Sequence, residues 1–263
     1  MLYSHSRIGC FEDCPRCFRY RYIDKIPIEY FETVEQFMGS RVHESLEKLY
    51  KDVMSGGQPK RDELIGHYTD LWSAQMNDGV FVNSEDLVHL DYQLIGQQCL
   101  TGYFERHHPF DAAKVLACEL RVEVDLRDDG NYRLIGYIDR VDRRDGTYEI
   151  HDYKTSSRLP GQASADRDRQ LAIYEMGLRQ KCPSASGFEY CWHYLRHGKE
   201  LRSKRTEADL ERHKKDIIKS IHRIEEAIVE DWFPAVRTPK CAWCEYQNVC
   251  PEKAATRQTK LQG

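Results

Sequence analysis

Apolar positions recur with helical spacing through the first hundred residues and then switch to alternation. From 34 to 56, Val42, Leu46, Leu49 and Val53 fall on one stripe, which predicts a helix closed by Gly56-Gly57. Segments 61–78 and 84–107 predict two more helices, the second closed by His107-His108-Pro109. Between Ala113 and Arg127 the pattern changes. Cys118, Leu120, Val122, Val124 and Leu126 alternate with Glu119, Arg121, Glu123 and Asp125, as in a strand with one wet face. Segments 131–144 and 147–154 predict two further strands. A helix over 166–181, strands over 186–195 and 201–205, and a long charged helix over 207–231 follow. Residues 1–33 read as irregular or partly helical. Helices ahead of a small sheet, then a helix and more strands, predict a mixed α/β domain.

Composition narrows the class. The chain has 263 residues, 40% hydrophobic and 31% charged, which fits one large domain with a real core. Mean hydropathy is -0.71, and no run approaches the ~20 apolar residues of a spanning helix. The first residues, MLYSHSRIGC, contain no apolar signal region, so a cytoplasmic protein away from membranes is expected. The net charge of -4 does not announce a nucleic-acid binder. Local runs at Arg16, Arg19 and Arg21, and at Lys199, Arg202, Lys204 and Arg205, suit either a basic channel or a solvated face. Ten cysteines without secretion point to metal or cluster ligation, or to buried thiols, rather than to disulfides.

Asp145-Gly146 is a two-residue hairpin signal, because a type I′ turn needs positive φ at both central positions. That turn pairs Arg144 with Thr147 and, carried back, sets Asp139 opposite Asp152 and Tyr137 opposite Lys154. Period-two alternation puts Tyr137, Asp139, Val141, Ile150, Asp152 and Lys154 on one face. Arg140, Asp142, Glu149 and His151 fall on the other, polar side. Two facing carboxylates with Cβ atoms roughly 4.5–5.5 Å apart need a positive partner. Lys154 is one candidate and a hard divalent cation another. An edge hairpin with a structural Asp–Lys pair is the plainer reading.

GYIDRVD (136–142) followed by EIHDYKTSS (149–157) resembles the PD-(D/E)XK nucleases, in particular the RecB-like branch. The resemblance implies a restriction-endonuclease-like α/β core, a mixed sheet flanked by helices. It implies Asp139, Asp152 and Lys154 as the catalytic set, with Mg²⁺ or Mn²⁺ on Asp139, Asp152, the main-chain carbonyl of Tyr153 and His43. His43 lies in MGSRVHESLEKLY (38–50), which resembles the family's N-terminal helix. A lone helical histidine is otherwise structural. Gly39, one turn earlier, would let another segment approach closely. RQLAIYEMGL (169–178) resembles the Q-x-x-x-Y motif, so Gln170 and Tyr174 are expected to position the site or substrate. Glu119 matches a recurrent family glutamate, but its alternation puts it on the wet face unless a bulge turns it.

Cys241-x₂-Cys244-x₅-Cys250 needs a fourth ligand. RecB-like nucleases with a cluster pair such a tail with an N-terminal Cys-Pro, here Cys14-Pro15. The resemblance therefore implies a [4Fe–4S] cluster on Cys14, Cys241, Cys244 and Cys250 joining the chain's ends, with structural Zn²⁺ as the alternative. Cys10 and Cys17 leave the ligand set open. One nuclease domain is expected over 1–263: a cysteine region at 1–33 plus 232–263, N-terminal helices at 34–110, and the core at 111–231.

The expected activity is metal-dependent hydrolysis of DNA phosphodiesters, as an exonuclease on single-stranded DNA ends in recombination or repair. No G-x-x-x-x-G-K-[ST] loop occurs, so any helicase would be a separate partner, as would a recombination partner. The alternatives are a catalytically inactive DNA-binding module and a metal-stapled structural protein. An intact carboxylate set favours the enzyme.

Overall fold

A computed structural model describes residues 2–27, 32–82, 84–127, 130–182 and 185–252. The end of the expected cysteine tail, 253–263, lies outside them, as do 28–31 of the N-terminal segment. The chain divides into two compact units: Met1–Phe31 with Asp125–Ile135 and Glu211–Gly263, and Glu32–Val124 with Gly136–Leu210.

In the first unit, β1 (Tyr3–Ser4) pairs in parallel with Leu134 and Ile135. Helices α1 (His5–Asp13) and α2 (Pro15–Phe18) follow, then a π-helical turn over Arg19–Ile23. The two chain ends meet through ordinary packing. Arg16 Nε donates to the Phe233 carbonyl at 2.7 Å, and Phe18 stacks on Phe233 with ring centroids 6.4 Å apart.

The second unit begins with β2 (Glu32–Thr33) and α3 (Val34–Met54). A capping box opens α3: Gln36 N–H donates to Thr33 Oγ1, and Thr33 N–H donates to Gln36 Oε1. Helix α4 (Arg61–Gln75), strand β3 (Val80–Phe81, parallel to β2) and helix α5 (His89–His107) follow. The apolar stripe of α3 lies in one core with these helices. Val42 and Leu46 are fully buried, and Tyr68 and Tyr103 are in the same core.

The sheet follows: β4 (Lys114–Asp125), β5 (Arg133–Arg144), β6 (Thr147–Lys154), β7 (Gly187–Tyr194) and β8 (Lys199–Ser203). Strand β5 pairs with both β4 and β6; β6–β7 is parallel and β7–β8 antiparallel. Between β6 and β7 lie α6 (Gln162–Ala165) and α7 (Gln170–Lys181), and α8 (Glu207–Val229) ends the order of long elements. A mixed central sheet flanked by helices is the restriction-endonuclease-like architecture.

Two boundaries differ from the sequence reading, each through a polar side chain, while the hairpin keeps its expected place. The helix expected from residue 84 starts at His89, because Val88 N–H donates to Asp91 Oδ2 at 2.8 Å and sets the cap there. The helix expected over 166–181 starts only at Gln170, where Asp168 Oδ1 accepts the Gln170 N–H at 2.7 Å, and the separate short helix α6 precedes it. Asp145 and Gly146 both have positive φ, as the hairpin requires, and Arg144 pairs with Thr147.

The expected cysteine cluster is corrected. Among the described residues, the groups of ligand atoms lying within 4.8 Å of one another contain no four-cysteine set, and all ten cysteines are free. The thiols serve local structure instead. Cys14 Sγ accepts from Val236 N–H at 3.4 Å, and Cys241 Sγ accepts from Thr238 N–H at 3.4 Å within a 3₁₀ turn over Pro239–Trp243. Cys10 and Cys17 lie 3.8 Å apart. Neither a [4Fe–4S] cluster nor a structural Zn²⁺ on Cys14, Cys241, Cys244 and Cys250 is supported. A Cys-x₂-Cys spacing also suits a tight turn whose thiols take up main-chain donors. The iron–sulfur part of the family reading falls with it.

Candidate active site

The site forms where β5 and β6 part. Their ladder follows the expected register from Arg144↔Thr147 to Arg140↔His151. It stops one pair short of Asp139 and Asp152, because the Asp139 side chain takes the place of a strand partner: Tyr153 N–H donates to Asp139 Oδ2 at 2.7 Å. The simple face-to-face pair of aspartates is thus opened out. The two remain neighbours, and each faces a different helix.

Helix α3 supplies one wall. His43 Nε2 lies 2.9 Å from the Tyr153 carbonyl oxygen, and its Nδ1 lies 3.5 Å from Asp139 Oδ2. Gly39 permits this approach, since a Cβ there would sit only 3.1 Å from Thr155 Oγ1. Glu119 enters from β4 by an irregularity. Its φ is +47°, a left-handed residue inside a strand, which breaks the alternation that would have left it on the wet face. Its carboxylate joins His43 and Asp139 in a group whose ligand atoms all lie within 4.8 Å. Burial pushes the Asp139 carboxyl up to about 7, with His43 and the Tyr153 N–H opposing and the Asp152 and Glu119 charges adding to the rise. Burial raises Glu119 as well.

Helix α7 supplies the other wall. Lys154 Nζ lies 2.6 Å from Asp152 Oδ2, a buried oxygen without an aligned hydrogen bond. Gln170 closes a ring around the pair: Lys154 donates to its Oε1 at 3.3 Å, and its Nε2 reaches Asp152 Oδ1 at 3.2 Å and Tyr174 OH at 2.9 Å. Burial works against the Lys154 ammonium, yet the Asp152 carboxylate raises its pKa above the ordinary lysine value, so it stays charged. Tyr174 packs on a bare stretch of β5, where a Cβ at Gly136 would overlap the ring and lie 3.0 Å from its Cδ1.

Behind Tyr153 lies a layer that the sequence reading placed on a polar side. Arg140, Asp142, Glu149 and His151 are each 5% exposed or less, and His193 of β7, which the sequence reading did not single out, joins them at 2%. Arg140 Nη1 donates to the hydroxyls of Tyr103 and Tyr153 at 2.6 and 2.7 Å. Side-chain alternation distinguishes two faces but cannot tell a solvated charged face from one covered by helices and paired charge by charge. The charged run Arg140–Asp142 facing Glu149–His151 was the available signal: the register sets like with like, Arg140 opposite His151 and Asp142 opposite Glu149, and the opposite charges meet along a strand (Arg140–Asp142) and on the diagonal (His151–Asp142).

The residues fit a hard divalent cation. His43 Nε2 and the Tyr153 carbonyl are separated by about the distance of neighbouring ligands around an ion with ~2.1 Å bonds. Carboxylates of Glu119, Asp139 and Asp152 supply the oxygen donors that Mg²⁺ and Mn²⁺ prefer.

A mixed sheet that gathers carboxylates, an imidazole and a lysine-paired aspartate at one strand end is the site of a metal-dependent phosphodiester hydrolase. Residues 3–251 match the PD-(D/E)XK nuclease superfamily, and the chain belongs to that family. It is a nuclease acting in nucleic-acid metabolism, with the clustered His/Asp/Glu site of a metal-dependent enzyme. Among solved structures, a putative exonuclease from Eubacterium rectale has the same fold, with a TM-score of 0.53 at 12% identity, covering 91% of this chain and 86% of that one. The structure of SSO0001 aligns at 17% identity over 94% and 85% with a TM-score of 0.38, which adds nothing to the fold assignment. No curated protein matches the sequence. No helix among the described residues is long and apolar enough to cross a membrane.

Proposed function

We propose that this nuclease hydrolyses DNA phosphodiesters as an exonuclease on single-stranded ends, in recombination or repair. The supporting observation is the cluster of His43, Glu119 and Asp139, tied through the Tyr153 N–H to the strand segment that carries the Asp152–Lys154 pair. The E. rectale structure with this fold is described as a putative exonuclease, which favours cutting from ends. Asp139, Asp152, Glu119, His43 and the Tyr153 carbonyl would hold Mg²⁺ or Mn²⁺. The bound ion would lower the pKa of a water and offset charge on the phosphate.

The chain's own groups then have defined tasks. Lys154, kept protonated by Asp152, donates to the phosphate oxygen on which charge develops. Gln170 fixes the orientation of both Lys154 and Asp152, and Tyr174 fixes Gln170. Tyr153 N–H holds the Asp139 carboxylate in place.

The test is digestion of 5′- and 3′-labelled single- and double-stranded DNA and of RNA, with Mg²⁺, Mn²⁺ or EDTA. Single nucleotides released from single-stranded DNA ends are expected, with loss of cutting in EDTA and in D139A, D152A and K154A. Undiminished cutting by folded D139A or K154A would remove the assigned roles. Products of internal cleavage, or a preference for RNA, would overturn the end-directed DNA reading.

A further inference from the structure

A second group of donors, apart from the nuclease site, lies at the β7–β8 edge on the face that carries Tyr153. Strand pairing sets His193 beside Tyr153 on one side and Glu200 on the other. His193 Nδ1 is 3.3 Å from Glu200 Oε1, and His107 Nε2, from the last turn of α5, is 3.2 Å from the same oxygen. His107 Nε2 is buried and makes no hydrogen bond among the described residues.

Proton bookkeeping fixes what these nitrogens present. A guanidinium only donates. Arg140 Nη2 is 3.0 Å from His151 Nδ1, so that nitrogen is an acceptor. The His151 proton then resides on Nε2, 3.2 Å from Asp142 Oδ2 and 3.6 Å from Glu149 Oε2. His193 Nε2 lies 2.9 Å from the same His151 Nδ1 and 3.5 Å from Cys191 Sγ; two lone pairs would repel at 2.9 Å, so the hydrogen is assigned to His193 Nε2, which shares the single His151 lone pair with Arg140. A neutral imidazole has one N–H. His193 Nδ1 therefore turns a bare lone pair toward the Glu200 carboxylate. A second proton on His193 would bury an imidazolium beside His151 and the Arg140 guanidinium, a like-charge placement that burial penalises.

Arg202 and the Cys191 thiol face the other Glu200 oxygen, Oε2, at 3.5 and 3.6 Å, so Oε1, with two imidazole nitrogens 3.2 and 3.3 Å away, is left without a cation of its own. We propose that His107 Nε2, His193 Nδ1 and the Glu200 carboxylate bind a first-row divalent transition-metal ion. Two imidazoles and a carboxylate are a donor set selective for such ions over Mg²⁺, and three protein ligands leave room for water. The His193 Nε2–H to His151 bond orients the ligand from behind, as such outer partners do in metal sites. The edge is open to an entering ion, since the Glu200 and His107 side chains are 30% and 22% exposed. The His193 ring lies against the rings of Tyr153 and Tyr103, with centroids 5.3 and 5.4 Å away. The ion thus braces the layer behind the nuclease site and takes no part in the reaction.

Co²⁺ is the probe. Titrated into metal-free D139A/D152A protein, which lacks the nuclease-site aspartates, it is expected to bind at one equivalent with visible ligand-field bands of nitrogen coordination, and to raise the melting temperature. H107A and E200Q, each added to that background, are expected to lose the bands and weaken binding by about tenfold or more. Circular dichroism establishes that the variants are folded, and a conservative H107Q variant replaces H107A if it is not. No stoichiometric Co²⁺ in the D139A/D152A protein, or unchanged bands in either folded variant, overturns the proposal and leaves the nuclease reading untouched.

Discussion

Replacing Gly136 with alanine tests whether packing behind β5 controls the proposed catalytic groups. The added Cβ would overlap Tyr174 Cε1 and lie 3.0 Å from Cδ1. Ordinary carbon contacts are ~3.5–4.0 Å, so the ring must move by about 1 Å. Tyr174 is 7% exposed and has little room to yield. Overpacking of this kind costs ~1–3 kcal/mol, which for a unit of this size lowers the melting temperature by about 2–12 °C. The shift also reaches the site. Tyr174 OH holds Gln170 Nε2 at 2.9 Å, and Gln170 holds Asp152 at 3.2 Å and Lys154 at 3.3 Å, so a further ångström breaks the latter two bonds. A displacement of that size in a catalytic constellation is associated with rate losses on the order of 10²-fold. Calorimetry and steady-state cleavage of labelled DNA read both effects. G136A combined with Y174L should recover stability but not activity, because the overlap is relieved while the hydroxyl is lost. A G136A protein that melts and cuts like the parent would refute the reasoning.

Other outcomes follow from the same geometry. Glu119 holds φ at +47°, a conformation that costs a side-chain-bearing residue roughly 1–2 kcal/mol. E119G should therefore unfold at higher denaturant than E119A, while both bind Mn²⁺ more weakly than the parent by isothermal titration; equal stabilities would contradict the strain. Y153F removes the hydroxyl that accepts from Arg140 at 2.7 Å, leaving a buried charged donor short of a partner, and should cost about 1.5–3 kcal/mol in urea unfolding. The Glu149 carboxyl, 4% exposed, is held down to about 2: burial opposes this, but His151, Arg202 and Arg144 outweigh it. Its folded pKa lies below the unfolded one, so its contribution to stability is complete above about pH 5 and is lost as pH falls toward 2. E149Q should flatten the urea midpoint across that interval, and an unchanged acid slope would count against the pairing.

Much of the fold, and the grouping of the candidate site residues, was legible in the chain. Asp145-Gly146 fixed the β5–β6 register through turn sterics alone, because both positions must have positive φ and few residues tolerate it. The alternation from Val122 onward, and the apolar stripe Val42–Leu46–Leu49, marked a strand and a helix for the same reason: local periodicity decides which side chains share a face. Motif order brought Asp139, Asp152, Lys154, Gln170 and Tyr174 to attention together.

Three things only the tertiary structure decided. Glu119 reaches Asp139 and His43 through one left-handed residue, and nothing local to a Cys-Glu-Leu sequence announces it. Arg140, Asp142, Glu149 and His151 look like a wet face in sequence, yet they are buried, since burial depends on what another part of the chain lays over that face. The cysteines of the two ends matched a cluster spacing, but Cys14 and Cys241 accept from main-chain donors and Cys10 lies against Cys17. Spacing along a chain limits which atoms can meet; the positions of the elements that carry them determine which ones do.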